Sequence, residues 1–301
     1  MNTQGFELRG ATCVVTGGAS GIGAALIAEV VRRGAVAVAV VDIDGQRAAD
    51  AAARLGSAGV DAAGFACDVS DVASVGHMAQ GVCERFGTPT FVAANAGVFP
   101  PAGPAWELDP ADVAWTLGVN VTGVWLTTSV FAKLMVASDR PSWILGTGSE
   151  HALGVPHTGS AIYTASKHAV VGLLDVMRSE LPSHVGVSVM CPGLVATNLW
   201  KGAADRPDQF GGPTRISRRA GVIMTHGMDP ALVAERAIDG VQAGQFLVAT
   251  HRHVQQYADE RYAEVERAFA SLGADDGSEQ AYDVASVAAV VNAEDPRRTA
   301  G

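Results

Sequence analysis

The stretch Val14–Gly23, VVTGGASGIG, decides the fold. An apolar run, ATCVV at 11–15, leads into it, and the helical pattern of 21–33 leads out of it. Between them Gly17, Gly21 and Gly23 are spaced G-x-x-x-G-x-G. Glycines so placed allow a tight strand-to-helix turn and let the backbone approach a pyrophosphate, while the helix N-terminus offers N–H groups and the positive end of its dipole. Glycine triplets also occur in plain turns. The flanking strand and helix are what make this one a candidate dinucleotide cradle.

Outward from the turn, apolar runs alternate with helical patterns. AVAVAVV at 35–41 is continuous, as a strand covered on both faces requires. Further strand-like runs fall at 64–67, 90–94, 143–147, 186–191 and 245–250, and helical patterns at 71–86, 111–136, 160–181 and 230–243. This alternation predicts an α/β fold, a doubly wound parallel sheet of about seven strands with helices on both faces, as one domain over 1–250. Residues 251–301 are expected to form a C-terminal helical extension. Val254, Tyr257, Tyr262, Val265 and Phe269 keep helical spacing, and the acidic end, 272–301, reads as a loosely held tail with one short helix. Only 198–228 breaks the rhythm. It is rich in Gly, Pro and charge and long for a connection, and is expected to be a substrate lid.

Bulk composition excludes several partners. The 301 residues carry 31 acids against 21 Lys and Arg, a net charge of −10, which argues against nucleic acid and anionic membranes. The N-terminus lacks a basic start and an apolar core, and no apolar run approaches the ~18 residues of a membrane span. Cys13, Cys67, Cys83 and Cys191 have no metal-like spacing and read as small buried hydrophobes. No metal is expected, and a reducing cytoplasm fits.

A carboxylate at the end of the second strand can accept hydrogen bonds from an adenosine ribose. Asp42 stands there, 19 residues beyond Gly23, with no Arg or Lys in GGASG or in the IDG that follows. That pattern favours NAD over NADP. A turn or capping role is the alternative at strand ends, and Asp44 fits it better. Near the middle of the chain, YTASK puts Tyr163 and Lys167 four residues apart, on one helix face. A free Tyr, with a pKa of about 10, is a poor base near neutrality, and a neighbouring ammonium favours its phenolate.

In order, the glycine turn, Asp42, CDV (67–69), NAG (95–97), DVAWTLGVN (112–120), GTGS (146–149), YTASK (163–167) and CPGLVAT (191–197) resemble the short-chain dehydrogenase/reductase family over about residues 8–250. The resemblance implies a Rossmann-type fold. It implies that NAD is held by Gly17, Ser20, Gly21, Ile22, Gly23, Asp42, Asp68, Val69, Asn95, Ala96, Gly97, Tyr163, Lys167, Pro192, Gly193, Val195 and Thr197. It further implies that Tyr163 carries the proton, Lys167 holds the nicotinamide ribose, Ser149 polarises the substrate oxygen and Asn120 positions a water in a proton relay. One register differs. The family's serine stands thirteen residues before the tyrosine, which here is Glu150. Ser149 is one residue further away, and Thr147 is the alternative hydroxyl.

The expected activity is hydride transfer between NAD and a secondary alcohol or ketone. The alternative is a non-enzymatic NAD-sensing regulator on the same scaffold, since fold alone does not fix function. Reduction of an activated double bond fits the serine and YTASK less well. The loops beyond the strands supply Phe99, Pro100, Trp106, Leu153, Trp200, Phe210 and Met224, with His151 and His157 flanking the opening. Of these, Phe99, His151, His157 and Trp200 are the candidate substrate contacts, and the inventory suits a hydrophobic or aryl small molecule. The stretch 226–250 also resembles dehydrogenases that act on benzylic alcohols of lignin-type aryl ethers. Apolar faces on 111–136 and 160–181, with Trp115, Leu126, Val130, Val171 and Leu174, predict a homodimer or homotetramer.

Overall fold

The computed structural model describes residues 5–154, 157–214, 218–273 and 277–294. The first βα unit is β1 (Thr12–Thr16) and α1 (Gly21–Arg32). It is followed by β2 (Ala37–Asp42), α2 (Gly45–Ser57), β3 (Asp61–Ala66), α3 (Val72–Phe86) and β4 (Phe91–Ala94). Then come α4 (Pro110–Leu117), α5 (Gly123–Ser138), β5 (Ser142–Thr147), α6 (Ala161–Glu180) and β6 (Val185–Cys191). The series closes with α7 (Arg218–Met224), α8 (Pro230–Gln242) and β7 (Leu247–Ala249). All seven strands are parallel, in the order β3-β2-β1-β4-β5-β6-β7. This is the doubly wound α/β sheet that the alternation predicts.

Packing follows from the residue pattern. Along β1, Cys13 and Val15 join one apolar cluster with Leu26, Phe91, Ile238 and Val241, while Val14 joins another with Trp115, Phe131, Met135 and Leu174. Alternate residues of a strand point to opposite faces, so each face is sealed by its own helices. β4, β5 and β6 are buried throughout, which explains their continuous apolar runs. β3 is an edge strand and is partly exposed, and it extends back to Asp61 because the ladder with β2 starts at the Ala37–Asp61 pair. Aspartates start the helices where their side chains can accept backbone N–H groups: Asp71 on α3, Asp109 on α4 and Asp229 on α8. Pro110 and Pro230 follow the last two, where their fixed φ suits a first helical residue.

The single helix expected over 111–136 is interrupted. A π-helical turn, Gly118–Thr122, joins α4 to α5, with the Gly123 N–H bonded to the Gly118 carbonyl. By length and composition alone the joined run Pro110–Ser138 could cross a membrane. Here Trp115, Leu126, Phe131 and Met135 lie in the core. The same burial corrects the predicted association face: Trp115, Leu126 and Leu174 pack inside the protomer and cannot meet a partner.

Of 198–228, residues 215–217 lie outside the described residues. The rest forms 3-10 turns at Leu199–Asp205 and Asp208–Phe210, followed by α7. Its base is tied by Met228 N–H to Leu194 O (2.9 Å) and Ala196 N–H to Met228 O (2.9 Å). Its middle is held by the buried Arg206, which pairs with Asp112 at 2.5 Å and lies 5.5 Å from the Trp115 ring.

The chain divides into two compact units, residues 1–257 and 258–301. The helix predicted from 254–269 is α9 (Gln255–Ala270), which spans that division. In the second unit a 3-10 turn, Ser278–Tyr282, precedes α10 (Val284–Glu294). Residues 274–276 and 295–301 of the expected tail lie outside the described residues.

Candidate active site

The glycine turn closes by hydrogen bonds its own sequence dictates. Gly17 and Gly21 adopt φ of 63° and 53°, a region glycine enters without strain. A Cβ on Gly23 would stand 2.1 Å from the Gly17 carbonyl oxygen and 2.8 Å from Asn95 Nδ2, so only glycine lets the helix start so close to the strand. The Thr16 hydroxyl accepts from the N–H groups of Asn95 (2.9 Å) and Ala96 (3.0 Å), and Asn95 Nδ2 donates back to Thr16 O (3.0 Å). The NAG segment is thereby locked to the turn.

Asp42, at the end of β2, accepts from Ala19 N–H at 3.3 Å and Asp44 N–H at 3.2 Å. Asp44 caps α2 through the Gln46 and Arg47 N–H groups, as expected. A cavity of about 940 Å³ extends along the carboxyl ends of the strands. Its wall includes Asp42, Asp68 and Val69, as well as Ser149, Tyr163 and Lys167. Ligands of open parallel sheets bind at such a crevice. Every predicted site residue lies on this wall except Gly23 and Asn120. The four candidate substrate contacts, Phe99, His151, His157 and Trp200, are on it, and so is Met224. The wider inventory is corrected elsewhere. Trp106 is 84% exposed, Leu153 packs on the core, Phe210 covers Gly118, and none of these three, nor Pro100, lines the cavity.

On α6, Tyr163 and Lys167 share a buried face, with Lys167 Nζ 5.6 Å from the Tyr163 ring centre. Nζ donates to Thr147 O at 2.8 Å. Burial pushes the Tyr163 phenol up to about 12, and the neighbouring Ser149 hydroxyl opposes it. Burial also lowers the Lys167 ammonium to about 8. Attraction between these groups alone would favour both charges. In the folded chain desolvation disfavours both charges and is the larger effect.

The two candidate hydroxyls divide. Thr147 directs Oγ1 to Asn95 Oδ1 (3.3 Å) and offers its carbonyl to Lys167. Ser149 Oγ, in long contacts with His151 N–H and Pro192 O (3.4 Å each), is the hydroxyl that acts on the Tyr163 phenol. Asn120, in the π-helical turn, is fully buried. Its Oδ1 accepts from Val98 N–H (2.8 Å), and its Nδ2 donates to Val98 O (3.0 Å) and Ser166 Oγ (3.1 Å). Its amide therefore braces the NAG loop against α6 and does not face the cavity.

Sequence reasoning missed three residues. Arg47 lines the cavity from the first turn of α2, and its guanidinium is held by Asp44 (2.8 Å) and Asp205 (2.7 Å). The residues immediately after Asp42 carry no base, but the first turn of the following helix returns to the strand end. His251 follows β7 and accepts at Nδ1 from Gly193 N–H at 3.1 Å. Its Nε2 meets Leu194 O at 3.1 Å, so the imidazole fastens the 192–194 loop. Glu150 is buried between His157 (Oε1 to Nε2, 3.0 Å) and His253 (Oε2 to Nε2, 3.7 Å). No periodicity marks these two, because tertiary contacts of loops bring their partners in.

Residues 11–208 match the family model of the short chain dehydrogenases. A 1-deoxy-11-beta-hydroxypentalenate dehydrogenase of Streptomyces avermitilis is 36% identical over 214 residues, covering 70% of this chain and 78% of that protein. The C alpha-dehydrogenase of Sphingobium sp. is 28% identical over 271 residues, 87% of each chain. The crystal structure of a short chain dehydrogenase/reductase from Burkholderia phymatum in complex with NAD superimposes with a TM-score of 0.82 at 29% identity, covering 87% of this chain and 96% of that one. Similar solved structures include an NADP complex, of a short chain dehydrogenase from Burkholderia cenocepacia, as well as the NAD complex.

Proposed function

Because the chain belongs to the short-chain dehydrogenase family, an oxidoreductase family that uses a nicotinamide cofactor, we propose that it is an NAD-dependent dehydrogenase of hydrophobic secondary alcohols, aryl carbinols among them. The observation that carries this reading is one cavity wall bearing the glycine cradle, Asp42 and the Ser149–Tyr163–Lys167 group. The cradle that a Cβ would fill suits a dinucleotide. Gly17, Ser20, Gly21 and Ile22 would hold its pyrophosphate end, Asp42, Asp68 and Val69 its adenosine, and Asn95–Gly97 and Pro192–Thr197 its nicotinamide end. When bound, it supplies the hydride acceptor for alcohol oxidation and the donor for the reverse reaction. Ser149 holds the substrate oxygen, and Tyr163, as phenolate, takes the carbinol proton and becomes the neutral phenol. Lys167, anchored on Thr147 O, sets the charge beside the phenol. Asn120 holds the proton route indirectly, by fixing Val98 and Ser166.

Asp42 would accept from a ribose and repel a 2′-phosphate, and Arg47 is already taken by Asp44 and Asp205; both support NAD over NADP. Trp200 and Met224 support a lid built from 198–214 and 218–228 over the apolar end of the cavity. Trp125, Val136 and Val176, exposed on α5 and α6, support a homodimer or homotetramer. Four free cysteines support a reducing cytoplasm. The test is a panel of alcohols, from polyols to aryl carbinols, assayed with NAD and NADP by nicotinamide absorbance. Turnover confined to hydrophobic secondary alcohols with NAD is expected. Turnover of polyols alone, or none with any alcohol or ketone, would refute it.

A further inference from the structure

Three side chains at the substrate end of the cavity carry donor atoms that hydride transfer does not use: Glu150, His151 and His157. One donor atom from each lies within 4.8 Å of the other two. Glu150 Oε1 is 3.0 Å from His157 Nε2, and the two imidazole rings are 4.2 Å apart. A tetrahedral ion with bonds of about 2.0–2.2 Å sets its ligands roughly 3.3–3.6 Å apart. The cluster therefore needs side-chain adjustment only, and the His157 side chain, 44% exposed, has room to make it.

The surroundings also suit ligation. His151 Nδ1 lies 2.7 Å from Thr164 Oγ1, which can take the ring N–H and leave the Nε2 lone pair free. A second bond of this kind typically fixes a metal-binding histidine. The other oxygen of Glu150 is flanked by His253 Nε2 at 3.7 Å, which orients the carboxylate. Adjacent residues 150 and 151 serve one site because a 3-10 turn, Glu150–Leu153, carries both. Two imidazoles and one carboxylate form an N/O donor set that favours zinc-class ions over the all-oxygen preference of magnesium and calcium.

We propose that Glu150, His151 and His157 bind one divalent transition-metal ion of the zinc class, with a coordination position left open toward the substrate cavity. This goes beyond the dehydrogenase reading and stands independently of it. An ion there lies close to the catalytic group, since the His151 ring meets the Tyr163 ring edge-on at 4.9 Å.

The test is titration of the untagged protein with Co²⁺, followed by displacement with Zn²⁺. Binding of one equivalent is expected, with the intense visible bands of tetrahedral cobalt, lost on adding zinc. His157→Ala and Glu150→Gln should each weaken binding by more than about 10-fold, while exposed His77→Ala leaves it unchanged. Far-UV circular dichroism and thermal unfolding, measured in parallel, report that each variant is folded. Should Glu150→Gln not fold, His157→Ala decides alone. Absence of saturable binding, or equal affinity in wild type and His157→Ala, would overturn the proposal and leave the cluster as a metal-free hydrogen-bonded network.

Discussion

At the scale of the residue, Tyr163 and Lys167 show how burial reverses a naive expectation. The cation four residues away should favour the phenolate, yet the folded chain holds the phenol up to about 12 and the ammonium down to about 8. Alcohol oxidation needs Tyr163 as a base, and a raised phenol is protonated at neutral pH. The kcat/KM for oxidation should therefore keep climbing with pH from neutrality toward about 12, while that for ketone reduction does not climb. A flat oxidation profile in steady-state assays would remove Tyr163 as the titrating base. The two hydroxyls make a second prediction. Ser149→Ala should lower kcat by about 10²-fold or more, whereas Thr147→Ser, which keeps the hydroxyl on Asn95 and the carbonyl on Lys167, should stay near wild type. Equal losses in initial-rate measurements would reassign the polarising group. Tyr163, Lys167 and Asp42 were legible in the sequence because each is fixed by a local spacing. Glu150 and His251 were not, because their partners come from segments distant in the chain.

At the scale of the element, the glycine turn and the strands were legible because their signal is local: apolar runs, positive-φ glycines and aspartate caps. The π-helical turn was not. Its single extra residue leaves the apolar periodicity of 110–138 nearly intact while rotating Asn120 onto Val98 and Ser166. β3 was found only over its second half, because an edge strand with exposed positions has a weak apolar signal. The strand-end carboxylate carries a prediction of its own. Asp42→Ala should narrow the preference for NAD over NADP by ~10- to 100-fold, the worth of a hydrogen bond to a charged group. Comparable kcat/KM values for the two cofactors in the unmutated protein would contradict the role given to Asp42, and Arg47 would then be the residue to examine.

At the scale of the whole molecule, the alternation of strands and helices made the seven-stranded sheet legible, but apolar content alone could not tell core from association surface. Trp115 and Leu174 are core, while Trp125, Val136 and Val176 are left at the surface of α5 and α6. Light scattering at micromolar concentration should give a multiple of 30.9 kDa, and Trp125→Glu should shift it toward the protomer; a wild-type monomer would exclude the association. The central claim is that one phenol, placed by α6 beside Ser149 and Lys167, moves the proton that accompanies hydride transfer. Its most direct test is Tyr163→Phe, assayed for kcat with NAD and the best alcohol alongside the NAD dissociation constant. The expected result is a fall in kcat of about 10²- to 10⁴-fold, the usual worth of a general acid–base group, with NAD affinity nearly unchanged. A variant that kept kcat within a few-fold of wild type would contradict the account.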